Sequence, residues 1–137
     1  MFEGKQSHLT SQIIGTFFKV YNTLGYYGFL EKVYENALAL ELRNVGLKIE
    51  QQQPILVYYE AQVVGEYFAD IVVNETIIVE LKATRQIMRE HEAQLLNYLK
   101  ATRFEVGLLL NFGPKAEYKR KVYDNTTKGT LEWAKQP

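Results

Sequence analysis

Over residues 10–24 the apolar side chains Ile13, Ile14, Phe17, Phe18, Tyr21 and Leu24 recur three and four apart, the period of a helix with one buried face. Thr10 stands where a hydroxyl caps a first turn. A turn spelled LGYYGF leads to a second helix over residues 30–44. Its stripe is Leu30, Val33, Tyr34, Ala37, Leu38, Glu41 and Leu42, and Gly46 lies just past its end. After Gly46 the period shortens to two. Ile49, residues 54–59, Val63-Val64, residues 68–73 and residues 76–81 are β-branched and aromatic runs, broken by Glu60-Ala61-Gln62 and Asn74-Glu75. That pattern predicts a three-stranded antiparallel meander. Residues 87–100 return to helical spacing through Met88, His91, Leu95, Tyr98 and Leu99, and residues 104–110 form an apolar run typical of a strand covered on both faces. The helix between them predicts a parallel pairing of this strand with residues 76–81. Residues 118–123 add a short edge strand, and Trp133, in a polar tail, is expected to dock on the body.

Composition narrows the class. The 137 residues are expected to form a single domain, 1–137, able to bury roughly 65–70% of the surface its unfolded chain exposes. Without cysteine there is no disulfide, thiolate metal site or cysteine nucleophile, and two histidines argue against a zinc cage. The first residues, MFEGKQSHLTSQ, lack an apolar leader core, and no stretch approaches the ~20 apolar residues of a membrane helix. A cytoplasmic protein with no membrane partner is the expectation. Sixteen basic and sixteen acidic residues cancel, which argues against a purely electrostatic DNA binder. The basic groups Arg85, Arg89, Lys100 and Arg103, and Lys115, Lys119, Arg120 and Lys121, read equally well as solvated faces.

Asp70 and the tripeptide Glu80-Leu81-Lys82 interrupt two apolar strands with charge. Side chains alternate along a strand, so Glu80 and Lys82 share a face and Leu81 takes the other. Two carboxylates on adjacent strands can share a divalent cation, and hard oxygen ligands select magnesium or manganese over zinc. The requirement is geometric. If paired positions sum to 150, Asp70 lies opposite Glu80 with Cβ atoms roughly 5 Å apart; a strict two-residue loop at Asn74-Glu75 would pair Asp70 with Val79 instead. Lys82, two residues on, is placed to orient an attacking water and to offset charge on a phosphorane-like transition state. The plainer reading is a salt-bridge cluster in which Lys82 neutralises the acids.

These residues resemble the restriction-endonuclease-like PDDEXK superfamily, and within it the small GxxExxY proteins. Gly28 to Tyr34 reads GFLEKVY, matching GxxExxY; Asp70 and Glu80-x-Lys82 match D…ExK; Gln94 and Tyr98 match a helical QxxxY. The chain differs in having Val20-Tyr21 where similar proteins have Val-His, and LGYYGF where LGPGF is usual. The resemblance implies an α/β (α+β by some schemes) αβββαβ core with a mixed sheet flanked by helices. It implies Glu31 as an additional metal-site carboxylate and Gln94 facing the site, with Tyr98 as a packing neighbour. The implied function is a Mg2+- or Mn2+-dependent nuclease that hydrolyses phosphodiester bonds of nucleic acid, DNA being the favoured substrate. A homodimer would bring two centres to a duplex, and exposed Tyr26, Tyr27, Tyr58 and Tyr59 could form an interface or stack on bases. The alternative from a different class is a catalytically silent accessory module that binds nucleic acid or protein on the same fold.

Overall fold

The structure, a computed structural model, describes residues 4–26 and 28–128; Tyr27 and Trp133 lie outside the described residues. Two helices, α1 (Ser7–Leu24) and α2 (Glu31–Asn44), precede the strands β1 (Ile49–Tyr59), β2 (Gln62–Val73) and β3 (Ile77–Lys82). Helix α3 (Arg89–Ala101) then leads to β4 (Val106–Phe112) and β5 (Ala116–Val122). The strands form one sheet in the order β1-β2-β3-β4-β5, antiparallel except for the parallel pair β3 and β4. This is the expected αβββαβ order with one helix in front and one strand behind.

Each face of the sheet carries its own core. On one side α1 and α2 bury Phe17, Tyr34 and Leu38 against Val79, Leu108 and Phe112. Tyr34 stacks on Phe112 at 4.4 Å between ring centres, and Phe17 meets the same ring edge-on at 4.9 Å. Such aromatic contacts each add about 0.5–1.5 kcal/mol beyond the area they bury. On the other side α3 packs Leu95, Tyr98 and Leu99 against Val72, Ile78 and Leu109. Because β3 and β4 are covered on both faces, their apolar positions need not alternate, which is why their sequences run as unbroken hydrophobic stretches.

Two helix starts differ from the periodicity. Helix α1 begins at Ser7 behind Gln6, so Thr10 is a buried first-turn residue and not the cap. Helix α2 begins at Glu31, with Leu30 extended before it; Leu30 is 81% exposed and Val33 is exposed too. The buried line is Tyr34, Glu35, Leu38, Ala39 and Leu42, rotated from the expected stripe so that a glutamate enters the interior.

The connection between β2 and β3 sets the register. Asn74 and Glu75 both take left-handed backbone angles, Thr76 N donates to Val73 O at 2.9 Å, and Thr76 is then left over before Ile77 pairs with Val73. The loop is therefore odd, and paired positions sum to 150: Ile71 with Val79, Val72 with Ile78, Val73 with Ile77. The Asn74 side chain anchors the turn by accepting from Lys48 N at 2.8 Å.

Past Lys82 the chain is locked by β4. Buried Asn111, the register partner of Lys82, accepts from Thr84 N and donates to Thr84 O, both at 3.0 Å. Tyr21 donates its hydroxyl to Gly113 O at 2.8 Å. A Cβ on Gly113 would stand 2.4 Å from Thr84 O and 2.9 Å from Asn111 Nδ2. Gly113→Ala is accordingly expected to cost about 1–3 kcal/mol in urea unfolding, because the obstructing atom is backbone. A variant as stable as the parent would show that the segment after β3 yields freely.

Candidate functional site

Asp70 sits where β2 ceases to follow the two-residue alternation. Ala69 packs with the α3-side core and the Tyr67 ring lies 5.5 Å from that of Tyr98, whereas Ile71 and Val73 pack with α1 and α2. Strand β1 changes sides in step, Ile49 facing α1 and α2 and Ile55 facing α3. The twist falls between these residues, at Gln52, a non-glycine residue with φ of 54°. Gln52 is skipped in the ladder between the Gln51–Ile71 and Gln53–Ala69 pairs.

At the same level the backbone ladder between β2 and β3 ends with Ile71 and Val79, and side chains take over. Asp70 N donates to Glu80 Oε2 at 2.7 Å, while Leu81 N donates to Asp70 Oδ2 at 2.9 Å. Each strand's carboxylate is thus held by a backbone N–H of the other strand. The arrangement brings Asp70 and Glu80 together as the odd loop requires.

The two carboxylates are electrostatically costly. Burial, with Asp70 beside it, pushes the Glu80 carboxyl up to about 8 from an ordinary 4.5, and the bond from Asp70 N and the charge of Lys82 offset only part of this. Burial also raises Asp70, against the bonds from Leu81 N and Gln52. Tyr98, buried on α3, has its hydroxyl pushed up to about 12 by burial and then by the charges of Glu80 and Asp70. The tyrosine assigned to packing therefore also borders the acidic pair. Neither Asp70 nor Glu80 has an ion-pair partner within 4.0 Å among the described residues.

The other expected residues are placed less centrally. Lys82 is half-buried, and its charge acts on both carboxylates without a hydrogen bond or ion pair among the described residues. The plain salt-bridge cluster is therefore absent among them. Glu31 is exposed in the first turn of α2, and its Oε2 accepts from Ala83 N at 3.4 Å, one residue beyond Lys82. Gln94 lies on α3 in a groove of about 860 Å³ shared with Tyr58, Tyr67 and Tyr98. His91 serves α3 itself, its Nδ1 accepting from Met88 N at 3.0 Å.

Two residues that the sequence reading passed over join the site. Glu35, 4% exposed, accepts from Lys32 Nζ at 3.0 Å, Gln51 Nε2 at 2.7 Å and Gln52 Nε2 at 2.9 Å. Gln52 Nε2 also donates to Asp70 Oδ1 at 3.2 Å. Glu35 stands one turn after Glu31, so a second acid at i+4, next to the core tyrosine, was the available signal.

A five-stranded mixed sheet with helices on both faces, and an acidic pair where β2 and β3 part, defines a restriction-endonuclease-like α/β domain. The chain belongs to the PD-(D/E)XK nuclease superfamily, whose family model matches residues 7–122. No significant match is found among curated proteins or among solved structures. Among the described residues no helix is long and apolar enough to cross a membrane.

Members of this superfamily generally use divalent metal ions. Among the described residues no three His, Cys, Asp or Glu side chains converge as a ready-made metal cluster. The donors at the β2–β3 split nevertheless fit such an ion. They are hard carboxylate oxygens, Glu80 buried and Asp70 half-buried, mutually repelling and without an ion-pair partner among the described residues.

The burial of Glu80 beside Asp70 has a consequence for the metal-free fold. With the Glu80 carboxyl at about 8 when folded and near 4.5 when unfolded, the folded chain holds more protons between those values, so stability falls as pH rises through that window. In EDTA, Glu80→Gln is expected to flatten this slope and, at pH 8, to stabilise the fold by a few kcal/mol or less. Urea unfolding at pH 5 and pH 8 checks it. An unchanged slope would mean that Glu80 is not the group responsible.

Proposed function

We propose that this protein is a Mg2+- or Mn2+-dependent nuclease that hydrolyses phosphodiester bonds of nucleic acid, with DNA the favoured substrate. The observation that carries the reading is the reciprocal hold of Asp70 and Glu80, which keeps together the two carboxylates that, by resemblance, correspond to the acids of D…ExK. A bound divalent ion supplies Lewis-acid activation of the phosphate and of a water molecule. Asp70 and Glu80 would hold it, with Glu31, beside Ala83, as the additional carboxylate.

The remaining chemistry falls to this chain's own groups. Lys82 shares the Glu80 face of β3, and its ammonium, in no hydrogen bond or ion pair among the described residues, is able to orient the attacking water and to stabilise negative charge gathering on the phosphate oxygens. Gln94, free of side-chain hydrogen bonds among the described residues, is available to orient substrate from α3. Its groove offers the rings of Tyr58 and Tyr67, on which bases can stack. Hydrolysis by an activated water needs no covalent intermediate.

Single- and double-stranded DNA and RNA, incubated with Mg2+ or Mn2+, test this directly. Cutting that depends on the metal is expected, reduced at least about 100-fold in both Asp70→Ala and Lys82→Ala, in keeping with loss of a charge-stabilising group. Intact substrates together with no calorimetric binding of Mn2+ would instead support the non-catalytic accessory module.

A further inference from the structure

The buried Glu35 takes no part in the chemistry just described, yet it is connected to it. A carboxylate only 4% exposed is costly unless its acceptors are filled, and here they are: Gln52 on one oxygen, Gln51 and Lys32 on the other. Gln52 Nε2 is shared, 2.9 Å from Glu35 Oε1 and 3.2 Å from Asp70 Oδ1. One amide nitrogen therefore spans a carboxylate on α2 and a carboxylate on β2. The Gln52 backbone is held in the left-handed region, with φ of 54°, which is unfavourable for a non-glycine residue. Gln52 is also an exposed residue, so apolar burial does not account for that conformation.

We propose that Gln52 and Glu35 are positioning residues that set the orientation of Asp70: Glu35 fixes the Gln52 amide, and Gln52 fixes Asp70 Oδ1. This rests on the reading of Asp70 as a metal-site carboxylate. The logic is geometric. Asp70 has two side-chain torsions, and a single bond from Leu81 N to Oδ2 leaves the carboxylate free to pivot about that contact. A second donor on Oδ1 removes the pivot and directs the remaining lone pairs of both oxygens. Partners of this kind behind a metal ligand typically change affinity or activity by 10- to 100-fold when removed.

Four proteins test the assignment: wild type, Asp70→Ala, Gln52→Ala and Glu35→Ala/Gln52→Ala. Two readouts are independent of turnover: calorimetric affinity for Mn2+, and hydrogen exchange of the Leu81 amide in the metal-free protein. Gln52→Ala is expected to keep the fold, weaken Mn2+ binding by about 10-fold or more, and speed exchange of the Leu81 amide. Because Glu35 acts through Gln52, the double variant should bind Mn2+ no more than about twofold worse than Gln52→Ala. Should Glu35→Ala prevent folding, the Gln52→Ala comparison alone decides. Wild-type Mn2+ affinity and Leu81 exchange in Gln52→Ala, with Asp70→Ala losing metal binding, would overturn the positioning role and leave the nuclease reading standing. Undiminished Mn2+ binding in Asp70→Ala would overturn both.

Discussion

The structure turns on placing two carboxylates side by side in an interior that disfavours each of them singly. Asp70 and Glu80 are tolerated because each accepts a backbone N–H from the opposite strand at 2.7–2.9 Å. In a regular antiparallel ladder those N–H groups would bond to carbonyls. The parting of β2 and β3 beyond Ile71 and Val79 releases them, so the break in the sheet is what provides donors for the acids. The interruption of regular structure and the candidate chemistry are one feature. Bonds to ionised acceptors are roughly twice as strong as neutral ones, which helps to offset the lost ladder contacts.

That local requirement reaches into three elements. The odd connection through Thr76 puts Asp70 level with Glu80. The irregularity of β1 at Gln52 goes with a change of face in both β1 and β2, so that residues before and after it face opposite helices. As a result the pair is sensed from both sides: Glu35 on α2 adds to the repulsion, and Tyr98 on α3 lies within its field. The rigid support is the covered pair β3 and β4, where Asn111 bonds the backbone of Thr84 just beyond Lys82. A strained position such as Gln52 persists only where the surroundings over-determine it, and the ladder pairing of Gln51 and Gln53 on either side, with the carboxylates of Glu35 and Asp70 held by the Gln52 amide, meets that condition.

Much of this was legible in the chain because it depends on periods and contrasts. Alternation located the strands, the helix before residues 104–110 implied the parallel pairing of β3 with β4, and charge within apolar runs singled out Asp70, Glu80 and Lys82. The requirement that two acids meet even selected the register. What was not legible depends on rotation and local backbone conformation. The apolar content of α2 suits more than one facing, and only the packing of Tyr34 on Phe112 turns Glu35 inward and leaves Leu30 outside. Thr10 reads as a cap until the helix is seen to begin a turn earlier. Within Gln51-Gln52-Gln53 nothing in the residue type marks the middle glutamine as the one with a positive φ, since glutamine has no preference for that region.

The charge balance takes on a different meaning once the partners are known. A net charge of zero is that of a chain with no overall pull on a polyanion, and several cations are committed to internal pairs: Lys121 with Glu92 at 2.7 Å, Lys19 with Glu41 at 2.7 Å, and Lys48 with Glu75 at 2.6 Å. Exposed pairs of this kind contribute little to stability, yet they cancel the long-range field around them. Lys82 is different, since its charge acts on buried Glu80 and half-buried Asp70 with no hydrogen bond or ion pair to either among the described residues. An ammonium in direct contact would form a satisfied salt bridge and use up the acids' capacity for another cation. Without such contact its charge only moderates their repulsion, which distinguishes the arrangement from a plain salt-bridge cluster.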